Sequence, residues 1–155
     1  LEEAEKDLYN EVLNGNDEGE FWRAIVQAAR GDLNGASIEL RRSGSLARPY
    51  PRPLRFKLST IVAEAVVEIG DVRTAETILT ALAADNPTPY QEARVQYVQG
   101  RLAELEGDFD GAVTVWEHVM DGPDRLARFR AARSRVELLL RLDRMTKAEA
   151  TEDKS

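Results

Sequence analysis

"LEGDFDGAVTVWEH" occupies residues 105–118, and its Gly-Asp-x-x-x-Ala core returns in "RGDLNGA" (30–36) and "IGDVRTA" (69–75). A glycine just past the end of a helix can take the left-handed conformation that closes the last turn. The aspartate after it can accept a backbone N–H as the N-cap of the next helix. Each dipeptide, Gly31-Asp32, Gly70-Asp71 and Gly107-Asp108, therefore predicts a tight corner between two helices. Ala36, Ala75 and Ala112 each fall five residues after their glycine, about one turn into the second helix. A methyl group there lets the paired axes approach closely.

Apolar periodicity on both sides of the corners supports helices. Leu54, Leu58, Ile61, Val62, Ala65, Val66 and Ile69 repeat at three- and four-residue steps before the second corner, and Val72, Ala75, Ile78, Leu79 and Leu82 after it. This second stripe stops at "ADNPTP", where Pro87 and Pro89 prevent continuation. Phe21, Ile25, Ala28 and Ala29 precede the first corner; Val95, Val98, Leu102 and Leu105 precede the third. The glycines are 39 and 37 residues apart, a period that indicates stacked helix pairs, each burying its apolar face against its neighbours. A partial fourth unit is expected from Leu126, Phe129, Ala132, Val136, Leu139 and Leu140, with "LDRMTKA" as a degenerate corner in which Asp143 replaces glycine and Ala148 keeps the alanine.

The fold class is thus all-α, a solenoid of antiparallel helix pairs over residues 17–150, with units at about 17–50, 54–89, 90–123 and 124–150. Residues 1–16, with Leu8, Val12 and Leu13 on one side and Asn14-Gly15 at the end, read as an acidic helix that either caps the array or closes a preceding unit. Residues 151–155 read as a polar tail. The link "RSGSLARPYPRP" is expected to be extended and irregular because of its three prolines.

Composition narrows the function classes. A chain of 155 residues suits one domain that buries roughly two thirds of its unfolded surface, with no cofactor needed for stability. The absence of cysteine excludes disulfides, thiolate metal sites and a cysteine nucleophile. No apolar run approaches the ~20 residues that span a bilayer, so the chain reads as a soluble segment, with cytoplasmic and periplasmic placement both open. It begins with Leu1, which suggests a piece of a longer protein. A net charge of −7 disfavours general nucleic-acid binding. Charge is unevenly spread: residues 1–20 hold eight acids and one base, residues 40–63 six bases and no acid, and residues 123–147 eight bases against three acids. Oppositely charged ends make self-association one reading.

The third unit resembles a tetratricopeptide repeat. Counted from Ala93, Gly100 matches the small residue of the first helix, Gly107 the corner, Ala112 the close-packing alanine, Trp116 the aromatic of the second helix, and Pro123 the terminating proline one place early. Counted from Phe56, the second unit keeps Ala63, Gly70, Ala75, Leu79, Leu82 and Pro87 in register. Ala103 and Val119 depart from the family's tyrosine and alanine, and the period exceeds the family's roughly 34 residues. The resemblance implies a right-handed superhelix whose concave groove is lined by the first helix of each pair and holds a peptide or helix of another protein. By that analogy the lining is Lys57, Thr60 and Glu64; Arg94, Tyr97 and Arg101; and Arg130, Arg133 and Glu137. Arginine and lysine with Tyr97 would suit an acidic or amphipathic peptide, because guanidinium groups clamp carboxylates.

Catalytic and metal chemistry have little support. His118 is the single histidine and has no second ligand or base nearby, so it reads as a surface side chain. The glycines lie between helices, which rules out phosphate loops of the strand–glycine–helix kind. No enzyme activity, metal or cofactor is expected. The basic run "RRSGSLARPYPRPLRFK" offers arginines for phosphate or carboxylate and Tyr50 for stacking, set against a plain solvated connector. The leading expectation is a protein-binding scaffold. The alternatives are a structural spacer or self-assembly segment and, further off, an RNA-binding helical repeat mapped to residues 41–57.

Overall fold

Three helix ends in the computed structural model share one geometry. The structure describes residues 17–152, and the acidic segment 1–16 expected as a helix lies outside the described residues. Gly31, Gly70 and Gly107 have φ of 102°, 80° and 82°. Each donates its N–H to the carbonyl three residues back, and the following aspartate donates its own to the carbonyl five residues back: Asp32 to Gln27, Asp71 to Val66, Asp108 to Ala103. That pair of bonds is the Schellman closure. The same aspartates then turn outward as N-caps, accepting from the N–H of Gly35 (2.9 Å), Thr74 (3.3 Å) and Gly111 (3.0 Å). One dipeptide ends a helix and begins the next.

The described residues form seven α-helices and no strand: α1 (Asp17–Ala29), α2 (Leu33–Ser43), α3 (Arg52–Glu68), α4 (Val72–Ala84), α5 (Pro89–Leu105), α6 (Phe109–Met120) and α7 (Arg125–Glu152). The chain divides into two units, residues 1–86 and 87–155.

In the first unit α1 pairs with α2 and α3 with α4, and α2 also packs on α3. The pairs are antiparallel. Arg42 near the end of α2 bonds Glu20 (2.8 Å) at the start of α1. Arg52, opening α3, donates to the carbonyls of Asp85 and Asn86 just beyond α4. Phe21, Leu40, Phe56, Leu58, Val62, Val66 and Leu79 fill the core, and Ala36 and Ala75 are fully buried at the close approaches. The link expected to be extended is compact instead. Helix α2 runs through Ser43 and continues as a 3₁₀ turn over Gly44–Ala47. Pro51 and Pro53 begin α3 rather than interrupting it, since a fixed φ near −65° suits a helix's first turn. Tyr50 anchors the link, accepting from Trp22 Nε1 (2.7 Å) and donating to Glu18 (2.5 Å).

In the second unit α5 and α6 pair around one small–large contact. A Cβ on Gly100 would overlap the indole of Trp116, and that indole, fully buried, donates to the carbonyl of Tyr97 (3.2 Å). Thr88 and Gln91 close the start of α5 with a reciprocal capping box, and Asp124 caps α7 through the N–H groups of Leu126 (3.0 Å) and Ala127 (3.2 Å).

Two expectations for the fourth unit are corrected. No corner forms at "LDRMTKA": α7 is continuous for 28 residues, past Ala148 and through Thr151 and Glu152 of the expected polar tail. Without glycine, Asp143 has no easy route to positive φ, and it pairs with Lys147 one turn on (3.0 Å). The expected core stripe also faces outward. Ala127, Ala131, Ser134 and Leu138 are buried, whereas Leu126, Phe129, Val136, Leu139 and Leu140 are exposed.

Candidate protein-docking surface

The residues expected to line a groove have definite neighbours. In the second unit Tyr97 is buried rather than exposed, with its hydroxyl 3.2 Å from Ser134 Oγ and the Arg130 guanidinium 4.4 Å above its ring. Burial holds the Arg130 pKa below its ordinary value. Arg94 donates to Asp124 (2.6 Å), Arg101 lies 3.6 Å from Glu104, and Arg133 bonds Glu137 (3.0 Å). Burial opposes the charge on Asp124, yet the Arg94 guanidinium and two backbone N–H groups outweigh it and hold the carboxyl below the usual range. Helices α5 and α7 thus bring Tyr97, Ser134 and Arg130 together, while the charges of Arg94, Arg101 and Arg133 are answered locally. Lys57, Thr60 and Glu64 lie on α3 of the first unit, where the Thr60 hydroxyl bonds the Phe56 carbonyl (2.8 Å).

The opposite side of α7 is different in kind. At about 100° per residue, Phe129, Val136 and Leu140 fall within one narrow stripe, flanked by Leu126 and Leu139. This stripe is diametrically opposed to the buried line of Ala127, Ala131, Ser134 and Leu138. Its five apolar side chains are 39–65% exposed. Arg133 and Arg144 border one edge, Arg128 and Arg135 the other. Arg128 and Arg144 form no ion pair among the described residues; Arg135 reaches Glu117 on α6 (3.2 Å). The surface is therefore an oily strip with arginines along both edges, Arg133 and Arg135 paired to Glu137 and Glu117 and Arg128 and Arg144 without an ion pair among the described residues.

The sequence marks those apolar residues but not their orientation. The missed signal is the second line interleaved with them, small at Ala127, Ala131 and Ser134 and ending on Leu138, which suits a helix packed closely on one side and bare on the other.

Among the described residues no group of three or more histidine, cysteine, aspartate or glutamate side chains could hold a metal, and no helix is long and apolar enough to cross a membrane. His118 is exposed on α6. No family model, curated protein or solved structure matches the chain.

Proposed function

We propose that this chain is a non-enzymatic, tetratricopeptide-like helical repeat scaffold that holds an acidic amphipathic helix of another protein against α7. The observation that carries this reading is the exposed strip of Leu126, Phe129, Val136, Leu139 and Leu140 between arginine rails. A contiguous apolar face rimmed by charge is the usual mark of a protein contact. A helix has the right shape, because anchors at three- and four-residue steps mesh with a strip of the same period. Acidic flanks have the right sign, because guanidinium groups bind carboxylates through paired hydrogen bonds. The three Gly-Asp corners and the Gly100–Trp116 contact support the family likeness.

Magnitudes favour a contact of modest strength. Full burial of such a side chain contributes ~1.5–3 kcal/mol, so covering the half-exposed strip gains on the order of 4–8 kcal/mol before the cost of association. The arginine rails supply partner choice and encounter rate. A labelled, designed helix with leucines along one face and glutamates beside them should bind, and Phe129→Ser/Val136→Ser should weaken it at least tenfold with unchanged circular dichroism. Unchanged affinity in that variant removes the site from α7.

Self-assembly is favoured as a second reading by one feature of the sequence: residues 1–20 carry eight acids. Sedimentation would separate the two. Concentration-dependent growth that fades in high salt assigns the strip to a second copy.

A further inference from the structure

In the first unit, α2, the 3₁₀ turn, α3 and α4 enclose an open cleft of about 790 Å³. Its lining contains five arginines, Arg41, Arg42, Arg48, Arg55 and Arg73, and a single acid, Asp85. This bias runs against the composition of a chain with 28 acidic and 21 basic residues. The floor is apolar, built from the buried Phe56, Val62 and Leu82 with Ile78 beside them. Ser45, Ser59, Thr74 and Thr77 contribute hydroxyl-bearing side chains to the walls.

Three of the guanidinium groups are already answered. Arg41 pairs with Asp71 (3.0 Å), Arg42 with Glu20 and Glu39 (2.8 Å each), and Arg55 with Asp85 (3.6 Å). Arg48 and Arg73 have no ion pair among the described residues. They come from different elements of the lining, one just after the 3₁₀ turn and one in the first turn of α4. Two cations without an ion-pair partner on one cleft lining give it a positive bias that a dianion would meet.

We infer that this cleft binds an organic phosphate monoester with an apolar or aromatic body. The phosphate matches both the charge and the donors: it carries about −1.5 to −2 near pH 7, and a guanidinium fork meets two of its oxygens at once. A carboxylate brings only one charge. The apolar body matches the Phe56–Val62–Leu82 floor, and the volume falls within the roughly 300–1,000 Å³ of small-molecule sites. The basic run accounts for only part of the site: Arg73 comes from the far side of the second corner, and Tyr50 does not line the cleft but is held by Trp22 and Glu18.

The test is an amide-shift NMR titration of the full chain with 1-naphthyl phosphate at low salt, beside 1-naphthoate and inorganic phosphate. The expected result is saturable shifts at Ser45, Thr74 and Thr77, at least tenfold tighter for naphthyl phosphate than for either comparator. Arg48→Ala/Arg73→Ala, which breaks no ion pair among the described residues, should weaken binding at least tenfold; Arg73→Lys alone should weaken it less. Equal affinity for naphthoate overturns the phosphate assignment. Absent binding, shifts that map elsewhere, or an unaffected double variant overturns the site.

Discussion

Helices α3 and α7 are both apolar on more than one side, yet they meet different surroundings. Helix α3 buries Phe56, Leu58, Val62, Ala63, Ala65, Val66 and Val67, because α2 packs on one flank and α4 on another. Helix α7 buries only Ala127, Ala131, Ser134 and Leu138, on the side that packs on α5 and α6, and leaves Leu126, Phe129, Val136, Leu139 and Leu140 in solvent. A helix that is apolar all round is stable when neighbours cover it all round. The difference teaches that such a pattern describes a demand for neighbours. In α3 the demand is met within the unit; in α7 half of it remains, and that half is the proposed docking face.

The contrast breaks first under truncation. Leu58→Ala in α3 removes a buried side chain and should cost ~2–5 kcal/mol, whereas Leu140→Ala in α7 should stay within about 0.5 kcal/mol, both read from urea midpoints. An equal loss at Leu140 would mean that its face is covered in solution and would end the docking proposal.

The corners come next in size. Gly70→Ala puts a Cβ on a residue at φ 80° and should cost about 1–2 kcal/mol by thermal unfolding. Gly100→Ala tests the other use of glycine, since its methyl would displace the Trp116 indole. It should cost ~1–3 kcal/mol and shift the tryptophan fluorescence, a change Gly70→Ala should not produce.

Acid should separate the cap of α7 from its bare face. The folded-state pKa of Asp124 is lowered, so its contribution is present above the ordinary carboxylate value of about 3.9 and is lost as pH falls through the folded-state value. Asp124→Asn should therefore lower stability at pH 6 and flatten the fall between pH 5 and pH 2. Identical pH profiles for the two proteins would show that the cap is not charge-assisted. The smallest effect expected is at Lys147: removing its i,i+4 pair with Asp143 by Lys147→Ala should change stability by no more than ~0.5 kcal/mol, with helicity retained past Asp143.

How far the sequence reaches depends on the range of the interaction concerned. The three corners were legible because their physics is local: a glycine at positive φ, a carbonyl five residues back, and an N–H three residues ahead lie within one short stretch. The same locality explains where prediction failed at residues 142–148. "LDRMTKA" keeps an alanine at the right offset but lacks the glycine that would let the chain reverse, so α7 runs on. The compactness of the link is not legible from its prolines alone, because Pro51 and Pro53 stand where a helix tolerates them.

From sequence alone came the all-helical class, the hairpin corners and the small residues at their close approaches, since each is decided by backbone conformation and contacts a few residues apart. Tertiary structure alone decided that Tyr97 turns inward to Ser134, that α7 packs through Ala127, Ala131, Ser134 and Leu138 and shows five other apolar side chains, and that Arg73 joins the arginines of residues 41–55 around one cleft. Burial and charge clustering depend on which distant segments become neighbours, and a helix with two apolar faces does not state in its own residues which one a neighbour will cover.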